Sequence, residues 1–76
     1  MIKEHDRIVL TTDIPDEGLE AGDVGTVVHV YPGAEGYEVE FLALDGNTEA
    51  VVTLRNSQVR PVKKHEIPHA REFAAA

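Results

Sequence analysis

Two groups of residues in this 76-residue chain have types and spacings that could do chemistry. The first is His65-Glu66-Ile67-Pro68-His69, which matches H-E-x-x-H letter for letter. On a helix that spacing puts two imidazoles on one face to hold zinc, while the glutamate activates a metal-bound water. Pro68 works against it. Proline removes a helical hydrogen bond and clashes with the preceding turn, and it pushes Ile67 away from helical angles. Proline is well placed as the first residue of a helix. A short helix is therefore expected over Pro68–Ala74, which would leave the two histidines on different elements. No catalytic residue, metal site or cofactor is expected from this stretch.

The second group is acidic: Asp13, Asp16, Glu17, Glu20 and Asp23 within eleven positions. The spacing departs from the D-x-D-x-D-G plan, with its glutamate at position twelve, that a calcium loop needs. It suits either a solvated loop or a contact surface for a basic partner, and the second is the functional reading. Tyr31 is added to these five as an outward-facing aromatic beside the same surface. One exposed tyrosine without tryptophan does not supply the aromatic groove that grips proline-rich peptides. His5 and His29 read as solvated side chains.

The charge distribution points the same way. The formal net charge is −7. Residues 1–54 carry 12 acidic and 2 basic side chains, whereas residues 55–76 carry 5 basic and 2 acidic ones. An acidic surface repels phosphate backbones, which disfavours nucleic-acid binding by the first part. It favours basic partners and speeds their encounter. The chain has no cysteine, which excludes disulfides and thiolate metal sites and fits a cytoplasmic setting. No apolar run approaches the roughly 20 residues needed to span a bilayer. The mixed-sign start, Met1-Ile2-Lys3-Glu4-His5-Asp6, is no signal peptide.

A chain this short buries only about 60% of the surface its unfolded form exposes, and such domains are marginal unless they are closed barrels, bind metal or associate. Asp6–Thr11 reads as the first strand, with Ile8 and Leu10 inward. Residues 12–23 form a long polar loop anchored by Leu19. Gly22 and Gly25 bracket Asp23-Val24, and glycine there suits a tight turn or a bend. The second strand spans Gly25–Tyr31, with Thr26, Val28 and Val30 inward and His29 outward. A four-residue loop at 32–35 pairs Val30 with Tyr37 and Val28 with Val39. Tyr37-Glu38-Val39-Glu40-Phe41 alternates apolar with charged, the mark of a strand with one wet face.

Asp45-Gly46 suits a two-residue hairpin turn, with Leu44 opposite Asn47. Counting outward, Phe41 pairs with Ala50, Val39 with Val52 and Tyr37 with Leu54. The other face pairs Glu40 with Val51 and Glu38 with Thr53. A one-residue slip would send both glutamates into the core. Arg55–Gln58 suits a 3₁₀ turn, and Val59–Val62 a final short strand, where Pro61 tolerates an edge. The fold class is therefore all-β, a small five-stranded SH3-like, partly open barrel over residues 1–62. A C-terminal tail, residues 63–76, carries the short helix with Phe73 as its apolar anchor. Ala74-Ala75-Ala76 is a candidate handle for a protease. A homo-oligomer is compatible with this composition.

The run Val9-Leu10-Thr11-Thr12-Asp13-Ile14-Pro15, then Glu17-Gly18-Leu19 and Ala21-Gly22-Asp23-Val24-Gly25-Thr26-Val27-Val28-His29-Val30-Tyr31, resembles a family of short bacterial proteins known as a domain of unknown function. Glu38–Phe41, Ala50–Leu54 and Val59-Arg60-Pro61 continue the likeness over residues 3–69. The Gly-Asp-x-Gly-Thr-Val core is also similar to the barrel of the nitrile hydratase β-subunit and to KOW-type segments. The resemblance implies the barrel and assigns no activity, since fold alone does not carry function. Three functions compete. The first is a non-enzymatic protein-binding module, with an antitoxin or immunity-type partner of a basic protein as its finer form. The second is an accessory subunit of an enzyme complex. The third is a nucleic-acid-binding barrel using Arg55, Arg60, Lys63, Lys64 and Arg71.

Overall fold

The computed structural model describes residues 1–73. Strands β1 (Arg7–Leu10), β2 (Val24–Val30), β3 (Gly36–Leu42), β4 (Thr48–Arg55) and β5 (Val59–Pro61) form one antiparallel sheet in the order β4-β3-β2-β1-β5. β4 and β5 are its two edges, so the sheet curls into a partly open barrel without closing. The core is Ile8, Leu10, Leu19, Val27, Tyr37, Val39, Phe41, Val52, Leu54 and Val59. Val9 is also buried but lies outside that cluster. No helix among the described residues is long and apolar enough to cross a membrane.

The β3–β4 register follows the expected pattern at five pairs: Tyr37 with Leu54, Glu38 with Thr53, Val39 with Val52, Glu40 with Val51 and Phe41 with Ala50. The two glutamates stand on the outer face and accept hydrogen bonds from hydroxyls: Glu38 from Thr53 and Tyr31, and Glu40 from Thr48. The turn itself is longer than expected. Ala43 N–H donates to Asn47 O and Gly46 N–H to Ala43 O, both at 2.9 Å. Gly46 sits at φ 94°. This is a three-residue loop with its left-handed glycine, and it leaves Leu44 85% exposed. The extra loop residue shifts Leu42 onto Thr48. A bulge at Glu49 then restores the register at Phe41 and Ala50.

The inward face of β2 differs from expectation. Val30 pairs with Tyr37, but Val27, not Val28, pairs with Val39, because the register shifts between Val27 and His29. Val28 is the extra residue of a β-bulge, which rotates it outward and lets Val27 fill the core. Val27 is fully buried and Val28 is 42% exposed.

The tail also departs from expectation. Residues 68–73 form no helix. The chain leaves β5, turns at Lys63–Glu66, and runs on without repetitive structure until Phe73 packs against the core. Side-chain anchors on the barrel, described below, hold it where internal helical bonds were expected. Ala74-Ala75-Ala76, the candidate protease handle and the end of the expected helix, lies outside the described residues.

Candidate functional site: an acidic loop with a guanidinium clamp

The acidic loop between β1 and β2 is built by its own backbone. Ile14 and Leu19 exchange N–H···O bonds at 2.8 and 3.1 Å, closing a small loop over the 3₁₀ turn Pro15–Glu17. Leu19 is buried beneath it. The next turn runs from Glu20 to Asp23, with Asp23 N–H donating to Glu20 O at 3.0 Å. Gly22 takes φ 97° there, a conformation glycine adopts without steric cost. Leu10 N–H donates to Asp23 O and Gly22 N–H to Leu10 O, both at 2.9 Å, so the turn is tied to β1.

The five acidic side chains divide into two kinds. Asp13 Oδ1 accepts from Ala21 N–H and Asp23 Oδ2 from Glu20 N–H, each at 2.8 Å. These two satisfy turn amides and fix the loop. Asp16, Glu17 and Glu20 are exposed. Tyr31, also expected at this surface, lies beyond the far end of β2 from Asp23. There it packs edge-on against His29 with ring centroids 4.7 Å apart. It lines a separate shallow depression of about 570 Å³ with Glu35, Thr53, Arg55 and Gln58. The structure thus gathers the five acids and leaves Tyr31 apart.

The residue that sequence reasoning did not connect to this loop is Arg71. Its Nε donates to Asp23 Oδ1 at 2.9 Å and its Nη2 to Asp23 Oδ2 at 2.5 Å. Nη2 also donates to Gly18 O at 3.0 Å, and Nη1 stands 3.7 Å from Glu20 Oε2. A planar guanidinium meeting a carboxylate through two parallel bonds is among the stronger polar contacts a surface can make. Beside it, Val24, Leu42, Leu44, Ile67, His69 and Phe73 are among the residues lining a groove of about 430 Å³ between the tail and the β3–β4 hairpin.

The tail has a second anchor. Glu66 accepts from Arg60 Nη1 and Nη2 at 3.0 and 2.7 Å and from Lys63 N–H at 2.5 Å. The Arg60 guanidinium, helped by the Lys63 amide, lowers the Glu66 carboxyl from 4.5 to about 2. Partial burial raises the Asp23 carboxyl, but the Arg71 and Glu20 bonds outweigh it and leave Asp23 below its ordinary value. The H-E-x-x-H stretch is spent in this anchor. His65 adopts φ 72° in the turn and Glu66 is committed to Arg60, so the two histidines share no helical face. Among the described residues no group of three or more His, Asp or Glu side chains is placed to hold a metal ion.

Lowered carboxylates stabilise the fold above the pH at which the unfolded chain titrates, about 4. They lose that contribution as pH falls through the lower folded-state values. Arg71→Ala is therefore expected to lower Tm by about 5 °C at pH 6, for a partly exposed pair worth about 1 kcal/mol. The difference between the two proteins should shrink below about pH 4 and vanish in stronger acid. A thermal melt series from pH 6 to 2 checks it; a gap that persists unchanged at pH 2 contradicts the ion-pair account.

Residues 4–61 match the family described as domain of unknown function, DUF4926. The chain belongs to this family. No curated protein and no solved structure matches it. The family match ends at Pro61. It includes the acidic loop and all five strands, and excludes the tail that lies against them.

Proposed function

We propose that this domain is a small non-enzymatic protein-binding module whose acidic loop receives a basic partner. The observation that carries the proposal is the guanidinium seated against Asp23, Glu20 and the Gly18 carbonyl. A loop that holds one arginine in this way offers the chemistry to hold another protein's. Asp16, Glu17 and Glu20 project from the same loop into solvent and supply the long-range attraction that speeds encounter with a positively charged surface. Neutralising a basic protein, in the manner of an antitoxin or immunity partner, is the specific role this arrangement suits. Nucleic-acid binding has less support, since Arg60 and Arg71, two of the five basic residues between positions 55 and 76, are paired with carboxylates.

The test uses the chain as bait beside a variant carrying Asp16→Lys, Glu17→Lys and Glu20→Lys. Circular dichroism of the variant should match the parent, because all three side chains are exposed. A basic protein captured by the parent, released by moderate salt and lost with the variant is the expected result. Equal capture by both baits contradicts the proposal, as does the absence of any captured basic protein.

A further inference from the structure

We infer that the loop Gly18–Asp23 is a guanidinium clamp which the chain's own tail occupies in place of its ligand, and that the ligand is a segment with an arginine two residues before an aromatic side chain. The inference rests on the proposed role of the acidic loop and adds what that loop selects.

The clamp is complete without the tail. Asp13 and Asp23 are oriented by the Ala21 and Glu20 amides, and the turn is bonded to β1. Asp23 and the Gly18 carbonyl are thus held ready before any guanidinium arrives, which lowers the ordering cost of binding. The tail, in contrast, is weakly held. Residues 61–72 are all exposed and carry no strand or helix after Pro61. Beyond the Arg60–Glu66 turn, its anchors are Arg71 in the clamp and Phe73 against the core. Segments with so few buried contacts open at low free-energy cost.

The spacing of those anchors defines what fits. Arg71 and Phe73 are two positions apart and both meet the barrel, one engaging the carboxylate and the other the apolar core margin beside the groove. The family match places the clamp inside the domain and the tail beyond it. A tethered segment competes with an outside ligand at an effective concentration in the millimolar range, so the tail sets a threshold that a matching segment must exceed.

The probe is a synthetic peptide with the sequence of residues 66–73, titrated onto the isotope-labelled full chain and followed by amide chemical shifts. Three proteins are compared: the parent, Arg71→Ala, which leaves Phe73 in place, and Arg71→Glu, which repels the loop. The expected result is saturable shifts at residues 18–23 with affinity about tenfold tighter for Arg71→Ala than for the parent, and tighter again for Arg71→Glu. A peptide with alanine for its arginine should not bind. Asp23→Asn in the Arg71→Ala background should abolish the shifts, while the asparagine oxygen still caps the Glu20 amide.

Equal affinity for parent and variants, or no saturable shift in either variant, overturns the inference. So does a parent that sediments as a dimer and becomes monomeric on Arg71→Ala, since the clamp would then be filled by a second copy's tail. No partner is needed for this readout. If it fails while the charge-reversed bait still loses its partner, the loop docks proteins without competition from the tail. If the bait result fails, the proposed function itself is at fault.

Discussion

Replacing Phe41 with alanine is expected to remove about 4 kcal/mol of stability. A domain of this size has a total of roughly 4–11 kcal/mol, so the variant should keep at most about 7 kcal/mol and, at the low end of that range, sit near its unfolding midpoint without denaturant. The ring is 4% exposed and belongs to the core cluster. It belongs to β3, whose neighbours β2 and β4 approach it from both sides. The sheet is open at β4 and β5, so little structure can collapse inward to fill the void, and the cavity cost adds to the lost transfer energy. Phe41 also lines the groove under the tail, which couples the core to the candidate site. Urea unfolding monitored by far-ultraviolet dichroism gives the number; a loss under about 1.5 kcal/mol would mean that the ring is not a core residue.

The second large effect is expected at Gly25. A methyl group placed there would meet Val39 Cγ1 at 2.5 Å and the Phe41 ring at 2.9 and 3.0 Å. Val39 is β-branched and fully buried, so it has no alternative position to take. Gly25→Ala is expected to cost about 2 kcal/mol and Gly25→Val about 3 kcal/mol, at the upper end of over-packing effects. The same urea series measures both. A neutral Gly25→Ala would show that β2 and β3 are spaced more widely than this core allows. The two glycines of Gly22-Asp23-Val24-Gly25 therefore do different work. Gly22 adopts a left-handed backbone, whereas Gly25 has no such requirement and is small because β3 packs against it.

Much of the fold was legible in the sequence because two glutamates have only one place to go. Glu38 and Glu40 alternate with Tyr37, Val39 and Phe41, so burying the apolar set fixes the β3–β4 register at five pairs. Where adjacent residues are chemically alike, that logic has nothing to act on. Val27 and Val28 are both valine, and only the bulge decides which one enters the core. Asp45-Gly46 marked the turn, but the third loop residue and the compensating bulge at Glu49 carry no comparable signal.

The acidic loop was visible as composition, and its division into structural and exposed carboxylates was not. Asp13 is oriented by the Ala21 amide eight positions on and Asp23 by the Glu20 amide three positions back, contacts that composition does not encode. The partnership of Arg71 with Asp23 spans 48 positions. Pro68 suggests a helix start, yet the tail gains more from anchoring Arg71 and Phe73 on the barrel than a seven-residue helix would gain from its own bonds, since such short helices are marginal in water. Arg71 was read as part of a basic tail because sequence alone does not reveal the carboxylate it folds back to meet.

The most direct test of the central claim, that residues 13–23 are where this domain meets its partner, is an amide chemical-shift map of the labelled chain titrated with a basic protein it captures. The predicted result is a contiguous set of perturbed amides over residues 13–23 and 67–73, weakened by added salt. Perturbations confined to the β4 edge or to the Tyr31, Glu35 and Arg55 depression, with residues 13–23 unmoved, would contradict it.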